Sequence, residues 1–170
     1  MIKVYRIGLN ELSEACTKLK KYIDQEKPDW IIPICSGGLE LCELLWDKSE
    51  MPENIIHGVY IQHQTSSFLK SSIKFLPVFI TDFLRKIGYI LPKSKKRKIL
   101  IGNDLGKLQG KVLILDDAID SGYTLDILMS RLGRVDTRTA ILNNISGFCT
   151  LDFTLYNNMI VKFPWNCDYK

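Results

Sequence analysis

The chain has 170 residues, of which 46% are hydrophobic and 25% are charged, and its formal net charge is +4. Because these values are ordinary for globular proteins, they exclude a mainly disordered or fibrous chain and predict one domain over residues 1–170. The five cysteines include no Cys-x-x-Cys pair, so neither a disulfide framework nor a zinc site is expected. The apolar run at the amino terminus is too short for a signal peptide, and we expect a cytoplasmic protein.

The first quarter of the sequence predicts strand, helix, strand and helix. Residues 2–7 predict a short strand, and Asn10 is placed to cap a helix with one apolar face. Residues 30–34 predict a second strand, which leads through Ser36, Gly37 and Gly38 into a helix over residues 39–46. Paired glycines here can present N–H groups to an anion, although a tight strand-to-helix turn would use the same glycines.

The segment at residues 63–98 follows a predicted strand at residues 55–62 and is rich in aromatic and apolar side chains. We expect helical material, and its interspersed charges argue against a membrane span. Three interpretations stay open: a dimer interface, which we favour because large apolar patches usually bind protein or lipid, a cover over a site, or a helix on a membrane surface. The segment ends in five basic residues, which we interpret as a solvated loop, with attraction of nucleic acid or of an anionic substrate as alternatives.

Two strands are predicted next, at residues 99–102 and 111–115. Their connection is too short for a crossover helix, so we expect them to pair as a hairpin. Another strand is predicted at residues 137–142. Residues 156–165 join apolar residues to a terminal Pro-Trp.

The most informative stretch is residues 111–125. Four apolar residues lead directly into Asp116 and Asp117, which predicts a buried parallel strand whose acids lie where the strand reaches solvent. Adjacent strand residues face opposite sides, and helices would cover both faces. Each carboxylate therefore needs a partner, such as a metal ion, sugar hydroxyls or backbone donors.

A short polar turn follows these acids and precedes a helix. Ser121, Gly122 and Thr124 come directly before apolar residues at helical spacing. The start of a helix offers unpaired N–H groups and a partial positive charge, which suit a phosphate, and the glycine lets the backbone approach it. With two acids able to hold a ribose and its magnesium, the stretch predicts a sugar-phosphate site.

Residues 115–124, which read Leu-Asp-Asp-Ala-Ile-Asp-Ser-Gly-Tyr-Thr, resemble the phosphoribosyl-pyrophosphate motif of type I phosphoribosyltransferases. The alternative is a doubly wound sheet whose acid pair only caps a strand, as in receiver-like domains. The resemblance implies a single-domain α/β fold, a mostly parallel sheet flanked by helices, with a helical insertion at about 63–98. It implies magnesium at Asp116 and Asp117. It also implies phosphoribosyl-pyrophosphate binding by Ser36, Gly37, Gly38, Asp116, Asp117, Asp120, Ser121, Gly122, Tyr123 and Thr124.

The Pro-Trp ending and Asp120 resemble one branch of that family, the bacterial and archaeal xanthine, guanine and hypoxanthine phosphoribosyltransferases. In that branch the matching Asp lies near the purine's imidazole nitrogen and assists proton transfer, so the resemblance implies a purine-type enzyme with Asp120 as catalytic residue. It implies contacts with the base from Asn144, Ile160 and Val161. The partners implied are phosphoribosyl pyrophosphate, a purine base or nucleotide, and further copies of the chain in a homodimer or larger oligomer.

Three positions depart from the family's pattern. Many relatives have Arg or Lys at Ser36, Lys at Asn144, and an acid at Asn166. The chain could therefore be a nucleotide-binding regulator or defence-type effector in which catalysis is lost or altered. Trp165 is either part of the base site or a hydrophobic plug. The two histidines lack ligand spacing and receive no role.

Overall fold

A computed structural model describes residues 3–34, 36–47, 49–56, 59–62, 98–101, 105–147, 150–166 and 169, and only the backbone of 59–62 and 98–101. The elements described, in chain order, are β1 (Lys3–Arg6), α1 (Leu9–Glu26), β2 (Trp30–Pro33), α2 (Gly37–Leu45), β3 (Val59–Gln62), β4 (Lys98–Ile101), a 3-10 turn (Leu105–Lys107), β5 (Lys111–Ile119), α3 (Tyr123–Leu132), β6 (Asp136–Asn144), β7 (Tyr156–Asn157) and β8 (Met159–Lys162). Residues 63–97 of the predicted insertion lie outside the described residues, and only its last residue, Lys98, is described.

A parallel sheet with strand order β2-β5-β6-β7 forms the centre of the fold. All four residues at 112–115 of β5 are 0% exposed, because β2 and β6 flank this strand and helices cover both faces. β1 and β8 form a separate parallel pair, and β3 and β4 an antiparallel pair. The predicted α/β fold with a mostly parallel sheet flanked by helices is confirmed.

The two faces of the sheet build two hydrophobic cores. On one face α1 and α2 pack against Leu113 and Leu115 of β5, and on the other face α3 packs against Val112 and Ile114. This alternation breaks after Leu115, since Ala118 packs in the first core and Ile119 in the second. The adjacent acids of β5 therefore lie where the regular pleat of the strand is interrupted.

The predicted hairpin between residues 99–102 and 111–115 is wrong. β4 pairs antiparallel with β3, with Lys98 opposite Gln62, whereas β5 joins the parallel sheet. An uninterrupted apolar strand is stabilised by burial on both faces, which a two-stranded hairpin cannot provide.

Two boundaries also differ from the prediction. α1 begins at Leu9 after the N-cap residue Gly8, so Asn10 lies inside the helix and does not cap it. β5 continues to Ile119 because β6 runs beside it that far, with Asn144 opposite Ile119. None of the described helices has the length and apolar character needed to cross a lipid bilayer.

Two neighbouring buried side-chain amides on β6 differ in their hydrogen bonding. Asn143 is 0% exposed, and within the described part of the chain neither its Oδ1 nor its Nδ2 has a hydrogen-bond partner. Asn144 is 3% exposed, and its Oδ1 accepts a hydrogen bond from the Gly147 N–H at 3.0 Å. A buried polar group without a partner costs about 1–3 kcal/mol.

We predict that Asn143→Leu, a change of similar shape, raises the free energy of unfolding by about 1–2 kcal/mol, equivalent to a few degrees in Tm. Asn144→Leu is the matched control and should lower it, because the Gly147 N–H loses its acceptor. Urea unfolding of both variants measures the difference. A loss of stability in Asn143→Leu would show that the amide makes a stabilising contact.

Candidate functional site

The acid pair lies at the carboxyl edge of the sheet. β2 ends at Pro33, which is opposite Leu115, and the Ile34 N–H donates to the Leu115 carbonyl at 2.9 Å. β5 continues beyond this point, so Asp116 and Asp117 stand next to the start of α2. In open parallel sheets, ligands bind in the crevice outside this edge.

The paired glycines bring the start of α2 against β5. A Cβ atom on Gly37 would lie 2.1 Å from Cγ of Asp117, and one on Gly38 would lie 2.4 Å from the Leu115 carbonyl oxygen. The Gly38 N–H already donates to the Ile34 carbonyl at 2.8 Å. Close packing alone therefore requires both glycines, and pyrophosphate binding by them and by the exposed Ser36 stays a prediction.

The carboxyl groups of Asp116 and Asp117 interact with each other. Oδ1 of Asp116 accepts the Asp117 N–H at 2.9 Å. Burial, followed by the neighbouring Asp117 charge, raises the pKa of Asp116 well above its ordinary value of 3.8, and backbone N–H groups of Asp117 and Gly38 offset this in part. A hydrogen bond between the two carboxyls further raises the pKa of Asp116 and lowers that of Asp117. The pKa of Asp116 is therefore raised further than that of Asp117.

Asp117 has a second partner at the carboxyl terminus of the chain. Burial raises its pKa, but the indole of Trp165 donates to Oδ2 at 2.6 Å and lowers it in part. The Trp165 ring stacks on Phe163, with centroids 5.0 Å apart and planes 6° apart. Trp165 is thus both an apolar packing residue and a hydrogen-bond donor to the predicted site.

The loop between β5 and α3 turns at a glycine into the start of the helix. Gly122 has φ 76°, a left-handed conformation that favours glycine, and its carbonyl accepts the Asp126 N–H at 2.9 Å as the first bond of α3. Ser121 is exposed, and Tyr123 and Thr124 are half-buried. The first N–H groups of α3 have no acceptor within the helix, so they and these hydroxyls are suited to an anion.

Asp120 lies directly between the acid pair and this loop. Its carbonyl accepts a hydrogen bond from Oγ of Ser146 at 2.5 Å, and the Ile145 N–H donates to the Ile119 carbonyl at 2.9 Å. The segment after β6 therefore braces the end of β5. The predicted acid pair and the predicted phosphate loop follow one another along β5, the connecting loop and the start of α3.

The predicted base-contacting residues are buried. Ile160 is 0% exposed and Val161 is 3% exposed, with Val161 in the core beneath α1. Asn144 uses its side-chain oxygen to hold the turn that ends at Gly147. Base binding at these positions stays a prediction.

Sequence reasoning missed the role of Asn166. Its Oδ1 accepts the Phe163 N–H at 2.8 Å, and its own N–H donates to the Phe163 carbonyl at 2.9 Å. This reciprocal pair closes the turn that carries Trp165. The Pro-Trp pattern marked this turn in the sequence, but the partner of Trp165 lies 48 residues earlier and no local pattern indicates it.

Comparison with known proteins identifies the fold. A purine phosphoribosyltransferase from Pyrococcus horikoshii Ot3 superposes with a TM-score of 0.60 at 18% identity, over 97% of this chain and 95% of that chain. The xanthine-guanine-hypoxanthine phosphoribosyltransferase of Helicobacter pylori gives 0.58 at 14% identity, over 97% and 95%. A hypothetical protein from Neisseria gonorrhoeae with bound ppGpp gives 0.58 at 16% identity, over 98% and 90%.

No protein-family model matches the sequence, and a search of curated proteins gave no match. At identities of 14–18%, the structural similarity establishes the fold alone. The chain has the type I phosphoribosyltransferase fold that residues 115–124 predicted.

We predict that Asp116→Asn stabilises the protein at neutral pH. The pKa of Asp116 is higher in the folded protein than its ordinary value of 3.8, so folding favours the protonated acid. The wild-type protein therefore loses stability as the pH rises from 3.8 through the folded-state pKa. The variant does not lose this stability. Over this pH range the difference in free energy of unfolding between variant and wild type should therefore increase by about 1.4 kcal/mol for each unit by which folding raises the pKa.

Denaturant unfolding between about pH 4 and about pH 8 measures this difference. Asp47→Asn, at an exposed position beyond α2, is the control for removal of one carboxyl group. An Asp116→Asn curve that runs parallel to that of the wild type at every pH would contradict the raised pKa.

Proposed function

We propose that this protein is a purine-type phosphoribosyltransferase, which transfers ribose 5-phosphate from phosphoribosyl pyrophosphate to a purine base and releases pyrophosphate. One observation carries the proposal: a half-buried acid pair at the carboxyl end of the central strand is joined, within residues 116–124, to the amino terminus of α3. The fold supports it, since two of the similar structures are purine phosphoribosyltransferases.

The phosphate of the substrate would bind at the start of α3. Backbone N–H groups of the loop, with the hydroxyls of Ser121 and Thr124, are the donors that a 5′-phosphate requires, and Tyr123 forms the first residue of the helix. Asp116 and Asp117 would accept hydrogen bonds from the ribose hydroxyls. The pyrophosphate group would lie towards Ser36, Gly37 and Gly38, across the carboxyl edge of the sheet.

Magnesium fits this acid pair as a partner of the substrate. Burial raises the pKa of both carboxyls, and a bound divalent cation would favour their ionised forms. Within the described residues no group of three or more His, Cys, Asp or Glu is placed to hold a metal. Magnesium usually binds through one or two carboxylates plus substrate phosphates, which is what Asp116 and Asp117 provide. When bound, it would neutralise charge on the departing pyrophosphate.

Asp120 would act as the base in the transfer. A purine nitrogen attacks the anomeric carbon while the bond from that carbon to the pyrophosphate oxygen breaks, and Asp120 accepts the proton that the purine loses. The bracing of Asp120 by Ser146 and of Ile119 by Ile145 fixes the backbone from which this carboxylate projects. A positioned base contributes about 100- to 10,000-fold to the rate.

A second candidate function is that of a nucleotide-binding regulator or effector with altered catalysis. Ser36 lacks the positive charge expected beside pyrophosphate, and Asn144 is a buried, neutral amide engaged in a turn. The similar structure with bound ppGpp favours this candidate, because a guanine nucleotide occupies that protein. The two candidates share the phosphate site and differ in turnover.

We also propose a cytosolic homodimer or larger oligomer that uses residues 63–98, which lie outside the described residues apart from Lys98. Nucleic-acid binding by the basic residues at 93–98 would show a steep loss of affinity with salt.

We predict that the purified protein, with magnesium and phosphoribosyl pyrophosphate, converts guanine, hypoxanthine or xanthine to the nucleotide. Asp120→Asn should lower kcat about 100- to 10,000-fold and leave the KM for phosphoribosyl pyrophosphate almost unchanged, because proton transfer stabilises only the transition state. Asp136→Asn, exposed at the amino end of β6, is the control and should keep wild-type kcat.

Steady-state assays that follow each base by absorbance give both constants. Protein that binds a nucleotide tightly but is inert towards all three bases would contradict the transferase proposal and support the effector candidate.

A further inference from the structure

The carboxyl-terminal turn brings a donor into the candidate site. Asn166 closes the turn through two hydrogen bonds with Phe163, and the Tyr169 hydroxyl donates to the Ile7 carbonyl at 2.6 Å. Trp165 stacks on Phe163 within this turn. The position of its indole is therefore fixed by contacts that do not involve the acids.

Asp117 is held between this indole and α2. The Trp165 Nε1 donates to Oδ2 at 2.6 Å. On the other side, a Cβ on Gly37 would lie 2.1 Å from both Cγ and Oδ1 of Asp117, so the carboxylate occupies the space that the glycine leaves. Rotation of the carboxylate is restricted from both directions before any ligand binds.

We propose that Trp165 is a positioning residue for the ribose and magnesium site, which holds the Asp117 carboxylate in its ligand-binding orientation. This inference rests on the proposed function. An indole N–H can donate but cannot accept, so it fixes one oxygen without competing for a sugar hydroxyl or a cation. Orientation before binding removes the cost of ordering the side chain when the substrate arrives.

The same arrangement explains the contact that Asn166 makes with Phe163. An acid at this position could also accept the Phe163 N–H, so the change from the family's usual acid to Asn166 preserves the turn. Through Trp165, the carboxyl-terminal turn therefore supports the acid pair, whether or not it contacts a base.

The first test removes the indole hydrogen bond of Trp165 in one variant and that of Trp30 in another. Trp165→Phe keeps the ring and its stacking on Phe163 but removes the donor to Asp117. Trp30→Phe is the matched control, since the Trp30 Nε1 donates to the Gln109 carbonyl at 3.0 Å at the amino end of β2. We expect Trp165→Phe to weaken phosphoribosyl-pyrophosphate binding with magnesium about 10- to 100-fold by calorimetry, as loss of a supporting contact to a metal ligand does. Trp30→Phe should bind as the wild type does.

Trp165→His, which retains a ring N–H, should recover part of the affinity. A hydrophobic plug would show the opposite order, because phenylalanine fills the space better than histidine.

The second test uses the wild-type chain and does not depend on the folding of Trp165→Phe. The chain has three tryptophans, and Trp30→Phe and Trp46→Phe assign two of the indole N–H resonances, leaving the third to Trp165. Phosphoribosyl pyrophosphate with magnesium should shift the Trp165 resonance and leave the other two unchanged.

Wild-type affinity in Trp165→Phe, or a Trp165 resonance that ligand does not move, would overturn the positioning role and leave the proposed function intact. A wild-type protein that binds neither phosphoribosyl pyrophosphate nor a purine nucleotide would overturn the proposed function and this inference together.

Discussion

Two adjacent carboxyl groups at the end of a buried strand are the constraint around which this structure is arranged. Burial raises the pKa of both Asp116 and Asp117, and the charge of Asp117 further raises the pKa of Asp116. The neighbouring features compensate: Gly37 leaves room for one carboxylate, Trp165 donates to it, and Gly38 offers a backbone N–H to the other. Such a local cost is typical of functional sites.

The architecture of the sheet places this pair close to the amino terminus of α3. β2 stops opposite Leu115 and gives way to α2, whereas β5 continues beside β6 to Ile119. The pleat of β5 changes phase between these points, and the chain then turns at Gly122 into α3. Carboxyl side chains and the positive end of a helix are thus held a few residues apart on β5 and α3, an arrangement that suits a ligand combining hydroxyls, cation and phosphate.

The sequence was sufficient to predict what depends on local pattern. The uniform apolar run of β5, the helical spacing after Thr124 and the residue types at 115–124 predicted the central strand, α3 and the fold, all of which the structure confirms. Tertiary choices were not accessible. The pairing of β4 with β3 was missed because strand pairing depends on distant segments, and the bonds of Trp165 to Asp117 and of Asn144 to Gly147 depend on how turns meet the sheet. Local pattern also could not show that Ile160 and Val161 are buried.

A crystal structure with guanosine 5′-monophosphate tests most directly whether residues 116–124 bind a 5′-phosphoribosyl group. We predict that the phosphate lies at hydrogen-bonding distance, about 2.7–3.2 Å, from N–H groups and hydroxyls of residues 121–124, with the ribose hydroxyls facing Asp116 and Asp117. A nucleotide bound elsewhere, or bound here with its phosphate directed away from the start of α3, would contradict the assignment of this site.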